Sequence, residues 1–307
     1  MIRFRHPAAL VVACALLVPS AAIASQTDSA SNGDLSKLSL PSSANELVRQ
    51  AINNELKADH PNEHFWFREH KQTPTGSRVE QILETEDGDV GMQVSLNDVP
   101  LNQAQQKQEQ ARLQKLMTDP TAQQKHKKSA QEDLDRVRKM LGALPDAFIY
   151  QYDGTQNSPN GPLVRLRFEP NPNFKPQDRE TQVYRGMRGA MLIEPHDRRL
   201  AEMNAELFQR VNFGWGIFGR LDPGGHFTVK QSKISRTRWE TTEMTLKFTG
   251  HVLLFKKLNI DERDSESDFR PAPRGLTLTQ GIEMLEHQSA ELAQQRGGTP
   301  ASSSNKQ

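Results

Sequence analysis

A single cysteine, Cys14, stands in 307 residues, inside an apolar run near the start of the chain. Arg3 and Arg5 precede that run, which extends from Ala8 to Val18, and Ala22-Ile23-Ala24 follows it. Export and cleavage machinery reads a basic region, a short apolar region and a small-x-small site, so residues 1–24 are expected to be a secretory signal peptide. Cleavage after Ala24 would leave a chain without cysteine, which excludes disulfides, thiolate nucleophiles and thiolate metal sites. Val11-Val12-Ala13-Cys14 loosely matches a lipoprotein box, so a lipid anchor through Cys14 is the minor alternative to a free periplasmic protein.

A second long apolar run is also missing: no later stretch approaches the roughly 20 residues of a membrane-spanning helix. Neither sign of charge dominates. Of 39 Lys and Arg against 38 Asp and Glu, losing Arg3 and Arg5 leaves 37 against 38, which argues against a nucleic-acid partner. Ser25 to Ser43 and residues 293–307 are poor in apolar residues and are expected to be a disordered linker and tail. The mature length is enough for one large β-rich domain or two ordinary ones, and residues 44–292 are expected to form a single domain.

What is present is alternation. Val90, Met92, Val94 and Leu96 interleave with polar residues, and Val79 to Glu86 meets this run at the hairpin signal Asp87-Gly88-Asp89. Val164, Leu166 and Phe168 alternate with Arg165 and Arg167, and Met244, Leu246 and Phe248 with Thr245 and Lys247, before Gly250 suggests a bend. One apolar and one polar face is the mark of antiparallel strands with water on one side. Ala44 to Lys57 and Leu278 to Leu292 show helical spacing. A helical insertion over 102–144 separates the strands, its second half carrying Ala130, Leu134, Val137, Leu141 and Leu144 on one stripe. Lys125 to Lys128 read as a solvated face, with contact to anionic headgroups as the alternative.

No catalytic signature stands. Gly214-Trp215-Gly216-Ile217-Phe218-Gly219 matches G-x-G-x-x-G, but turn sequence follows it instead of a helix, so a phosphate cradle is excluded. It reads as a hairpin connection whose Trp215, Ile217 and Phe218 are either a core plug or an exposed apolar flap. His60, His64 and His70 surround Phe65-Trp66-Phe67, yet on a strand His64 and His70 are about 20 Å apart, too far for one ion. The acidic run Asp261 to Asp268 lacks a calcium loop's glycine and terminal glutamate and reads as a solvated loop. G-x-S-x-G is absent, and the pair Glu202 and Glu206 has no placed substrate. No catalytic residue, metal ligand or cofactor is therefore assigned.

Phe148-Ile149-Tyr150-Gln151-Tyr152-Asp153-Gly154, the segment Leu163 to Pro176, Tyr184 to Ile193 and Val211 to Gly219 resemble a family of uncharacterised exported bacterial proteins. Phe65 to Leu144 follows the same family's course, with Asn97-Asp98 where an Asp-Gly type turn belongs. The hairpin of Gly189 to Ile193 and Leu200 to Phe208 more distantly resembles periplasmic lipoprotein carriers of the LolA and LolB type. That resemblance implies an α+β fold, a curved antiparallel half-barrel with amphipathic helices packed on it, and a cavity for acyl chains. Val94, Leu166, Phe168, Leu246 and Phe248 are then expected to line the cavity, and the 215–218 flap and helix 121–144 to control access. The expected function is a non-enzymatic periplasmic binder of a lipid or a lipoprotein's acyl chains, with transient membrane-surface contact. An envelope interaction protein with a filled core is the first rival, and a hydrolase of unknown type the second.

Overall fold

The structure is a computed structural model and describes residues 39–58, 63–214, 218–253 and 256–297. The expected signal peptide, Cys14 included, and residues 298–307 lie outside the described residues. In chain order the elements are α1 (Ala44–Lys57), β1 (His64–Thr73), β2 (Gly76–Leu83), β3 (Val90–Leu96), β4 (Val99–Pro100), α2 (Gln103–Thr118), α3 (Pro120–Ala147), β5 (Phe148–Ser158) and β6 (Gly161–Pro170). They continue as α4 (Arg179–Gln182), a 3-10 turn (Val183–Gly186), β7 (Met187–Glu194), β8 (Arg199–Leu207), β9 (Val211–Phe213), β10 (Gly219–Leu221), β11 (Gly225–Lys233), β12 (Trp239–Val252), β13 (Lys256–Ala272) and α5 (Leu278–Gly297). The fold is α+β, antiparallel strands with helices packed on apolar faces, as expected. Residues 44–292, expected as one domain, gather into two compact units.

Of the described residues, the first unit comprises 39–58, Lys71–Gly76 and those within 131–266. Its strands lie in the order β13-β12-β11-β8-β7-β6-β5, and β10 joins β9 to β12. Alternation decides which face is buried: Val164, Leu166 and Phe168 of β6 are at most 1% exposed while Arg167 between them is exposed. Bulges at Tyr152/Thr155, Leu192/Ile193 and Lys230/Gln231 interrupt the register, and each bends its strand. Gly250 is no bend. It lies inside β12, where a side-chain carbon would meet the Arg220 carbonyl oxygen at 2.1 Å, so glycine is what lets β10 pair there.

The acidic run also differs from expectation. Residues 261–268 are part of strand β13, because their charges are met from neighbouring strands: Asp261 lies opposite Lys247, and Lys71 Nζ stands 2.7 Å from Glu262 and 3.6 Å from Asp264.

Helix α1 covers part of the apolar face with Leu47, Val48, Ala51 and Ile52. Glu55 continues that stripe and is fully buried. Its carboxylate accepts from Arg199 Nε at 2.8 Å and Nη2 at 2.9 Å, and from the Leu200 amide at 3.1 Å. Around this pair the β7–β8 turn is held by α1 side chains. Asn54 Nδ2 donates to the Asp197 and Arg198 carbonyls, and Arg198, at φ 51°, donates to Gln50. At the other end of α1, Asn45 imitates a strand: its Nδ2 donates to the Phe148 carbonyl at 3.2 Å and its Oδ1 accepts from the Tyr150 amide at 3.1 Å. It thereby closes the outer edge of β5, where unpaired backbone would otherwise invite strand addition.

Of the described residues, the second unit comprises 63–70, Ser77–Ala130 and 267–297. Its strands lie in the order β4-β3-β2-β1. Asn97 and Asp98 take φ of 53° and 60° between β3 and β4, the left-handed pair that a tight two-residue hairpin turn requires. Leu83, Val90, Leu113, Ile282 and Leu285 form its core, and Gly281 lets α5 approach Thr85, whose methyl would lie 2.7 Å from an added side-chain carbon. Helix α5 reaches Gly297, five residues into the stretch expected as tail.

Removing the Glu55 charge strands a buried guanidinium. Glu55→Gln is expected to cost about 3 to 5 kcal/mol, read as a fall in the urea midpoint, while Glu55→Leu with Arg199→Met costs far less. A loss below about 1 kcal/mol in the single variant would contradict this role.

Candidate functional site

The apolar face of the first unit is built by strands that bury every second residue. β5 and β6 contribute Phe148, Tyr150 and Phe168, and Tyr184 of the 3-10 turn joins them. Phe148 lies 4.7 Å from Phe168 and 5.3 Å from Tyr184 by ring centroids, and Tyr150 lies 5.9 Å from Phe168. These tilted pairs are the geometry that ring quadrupoles prefer. Leu166 pairs with Met191 across β6 and β7, and Phe248 with Ile260 across β12 and β13. Gly225 leaves the space that the Phe248 ring fills, since an added carbon would lie 2.3 Å from it.

Of the five residues expected to line a cavity, Leu166, Phe168, Leu246 and Phe248 share this core and are at most 8% exposed. Val94 lies in the second unit, half-buried against that unit's own core. Of the flap, Trp215 and Ile217 lie outside the described residues. Phe218 is 52% exposed, its ring packed on Gly214 and capped by the Arg179 guanidinium at 4.9 Å. The strands on either side of it, β9 and β10, pair Phe213 with Gly219, so the motif is a hairpin connection.

Helix α3 reaches the same face through Val137, Leu141 and Leu144, while Leu134 is only half-buried. Two phenols fasten it: Tyr150 Oη donates to the Leu144 carbonyl at 3.0 Å and Tyr184 Oη to the Met140 carbonyl at 3.1 Å. Sequence reasoning passed over these ties and over Glu55. The signal for Glu55 was its place four residues beyond Ala51 on the buried stripe. The signal for the phenols was their position among alternating apolar residues directly after the helix.

The opposite, polar face of the same strands carries a groove of about 650 Å3, lined among others by Arg165, Arg167, Arg188, Glu202, Asn204 and Glu206. Each guanidinium there is already engaged, Arg165 with Asp153 at 3.2 Å, Arg167 with Gln151 at 2.9 Å and Arg188 with Glu206 at 2.6 Å. Glu202 accepts from Asn204, so the pair Glu202 and Glu206 is spent on neighbours. In the second unit His64 and His70 each face their own carboxylate, Glu86 at 3.3 Å and Asp98 at 3.1 Å. Lys127 of the basic run binds Asp87 at 2.9 Å.

No family model and no curated protein matches the chain. Among solved structures it is similar to a "putative outer membrane lipoprotein-sorting protein domain" from Vibrio parahaemolyticus, at 12% identity over 78% of this chain and 98% of that one, with a TM-score of 0.31. It is also similar to a DUF1329 family protein from Desulfovibrio piger, at 9% identity over 76% of this chain and 93% of that one, with a TM-score of 0.27. These are distant likenesses of the kind seen in the sequence, and they assign no residue a role.

Burial raises the phenol of Tyr150 well above its usual range, and also those of Tyr184 and Tyr152, which are all the tyrosines of the chain. A folded-state value raised above the unfolded one means the folded chain keeps protons that the unfolded chain releases. The stabilisation is then complete below about pH 10 and is lost as pH rises further. Alkaline titration should therefore show two of the three tyrosinates, those of the buried Tyr150 and Tyr184, appearing only together with loss of the circular dichroism of the fold. Formation of all three tyrosinates at the ordinary phenol pKa in a folded chain would contradict the burial of Tyr150 and Tyr184.

Proposed function

We propose that this is an exported, non-enzymatic protein that binds a hydrophobic ligand, a lipid or the acyl chains of a lipoprotein, on the apolar sheet face of its first unit. The observation that carries the reading is the unequal fastening of the two helices over that face. Helix α1 is held by a buried bidentate ion pair, whereas the last turns of α3 bury Val137, Leu141 and Leu144 and accept two phenolic hydrogen bonds, and their ion pairs, Asp146 with Arg49 and Lys139 with Asp178, lie towards solvent. A ligand that displaced α3 would exchange like for like. Three aliphatic side chains and two hydrogen bonds amount to roughly 6 to 11 kcal/mol, and a dozen acyl methylenes at about 0.8 kcal/mol each return a similar sum. Leu166, Phe168, Leu246 and Phe248 would then line the opened space, with α3 as the gate. The work would be done in the periplasm after removal of residues 1–24, or from a lipid anchor at Cys14.

A second reading has its own support. Leu166 and Phe168 are sealed in the described core, which suits an envelope interaction protein whose sheet is simply filled. Native mass spectrometry of protein purified gently from an exporting host, followed by lipid extraction, separates the two. Stoichiometric acyl ligand supports the carrier; an apo mass together with no uptake of a fluorescent fatty acid supports the filled core. Under the carrier reading, Tyr184→Phe removes one tie worth about 1 kcal/mol and is expected to raise apparent affinity for the fatty acid about fivefold. An unchanged or weakened affinity in a folded variant would count against α3 as the gate.

A further inference from the structure

Among the described residues few large apolar side chains are exposed, and two of them meet at one place. Phe218 and Leu253 are 52% and 63% exposed, and the Leu253 amide donates to the Phe218 carbonyl at 3.4 Å, so these two residues, one just before β10 and one just after β12, stand side by side. Both belong to the first unit, and neither is near the apolar face under α3 in register: that face is reached by Phe248 and Ile260, several residues down the strands.

Immediately behind these tips the registers set out two rows. In the first, Phe213, Gly219, Val252 and Lys256 are successive cross-strand partners on β9, β10, β12 and β13. In the second, Asn212, Arg220, His251 and Lys257 are partners in the same way, so the last three present their side chains on one side of the sheet. Arg179 adds its guanidinium over the Phe218 ring at 4.9 Å. Among the described residues one carboxylate serves this group: Asp222 lies 3.3 Å from Arg220, 3.4 Å from Arg210 and 3.7 Å from His251. Lys256 and Lys257 are exposed, and no carboxylate among the described residues pairs with either. The result is a pair of apolar tips with a collar of surplus positive charge one and two residues behind them.

Apolar side chains flanked by Lys and Arg at this depth are complementary to an anionic bilayer surface, where the tips enter the headgroup and acyl boundary and the cations meet phosphate. We propose that Phe218 and Leu253, with Arg220, Lys256 and Lys257 behind them, are a membrane-docking edge that seats the first unit on anionic lipid. This is independent of any ligand bound beneath α3. It also places the lipid contact away from Lys125 to Lys128, the run read from sequence as a solvated face with headgroup contact as the alternative, on residues far apart in the chain.

The test is flotation of the purified protein with vesicles of phosphatidylethanolamine and phosphatidylglycerol, and with vesicles of phosphatidylcholine alone. Co-flotation with the anionic vesicles is expected, falling with added salt and at least tenfold weaker on phosphatidylcholine. Leu253→Asp and the double variant Lys256→Glu with Lys257→Glu should each lower the bound fraction at least tenfold. Replacing Lys125, Lys127 and Lys128 by Glu should change it less than twofold. Thermal melts of each variant, all at exposed positions, establish that they fold. Absence of flotation on any vesicle, or flotation unchanged in the folded Leu253 and Lys256/Lys257 variants, would overturn the proposal. A concentration-dependent dimer in sedimentation that Leu253→Asp abolishes would overturn it too, by assigning the tips to a second copy of the chain.

Discussion

The carboxylate of Glu55, 144 residues away in sequence from Arg199, is the contact on which the first unit depends. Both groups are desolvated, so the pair is tolerable only because two parallel hydrogen bonds and the Leu200 amide satisfy the carboxylate. With this point set, the other contacts of α1 fall into register. Gln50 and Asn54 reach the β7–β8 turn, Leu47 to Ile52 cover the sheet, and Asn45 arrives at the open edge of β5. A pair of this kind holds position more than it adds stability, because two well-packed apolar residues of the same volume would serve the energy as well. It fixes which turn of helix meets which strand.

That fixed helix gives the loosely held one its meaning. Helix α3 passes directly into β5, and its last turns rest on an aromatic cluster that would remain largely intact if the helix withdrew, since Phe148, Phe168, Tyr150 and Tyr184 contact one another. Aliphatic packing and neutral hydrogen bonds can be exchanged for an acyl chain at little net cost, whereas an ion pair left buried cannot. The proposed carrier activity therefore rests on a difference between the buried ion pair of α1 and the solvent-facing ion pairs of α3, Asp146 with Arg49 and Lys139 with Asp178. The polar face, with every guanidinium of its groove already bonded, contributes structure.

The strands were legible wherever water covers one side. Val164 to Phe168 and Met244 to Phe248 alternate because β6 and β12 have a buried and a solvated face, and the turn at Asn97-Asp98 and the hairpin around Gly214 to Gly219 carry their own local chemistry. What stayed hidden were contacts set by distant partners. The acidic run 261–268 looks like a loop until Lys71 and Lys247 are placed beside it, and Gly250 looks like a bend until the Arg220 carbonyl is seen against it. Glu55 reads as an ordinary helix surface residue unless its position on the apolar stripe is taken as a demand for a buried cation. The division into two units, which parts Val94 from the other residues expected around a cavity, has no signature in periodicity at all.

Native-state hydrogen exchange followed by mass spectrometry tests the central claim directly, because it reads the opening of each helix separately. The account expects amides of α1 to exchange only with global unfolding, and amides over residues 131–147 of α3 to exchange through an easier opening that fatty acid suppresses. Exchange of both helices in a single event, or earlier release of α1, would contradict it.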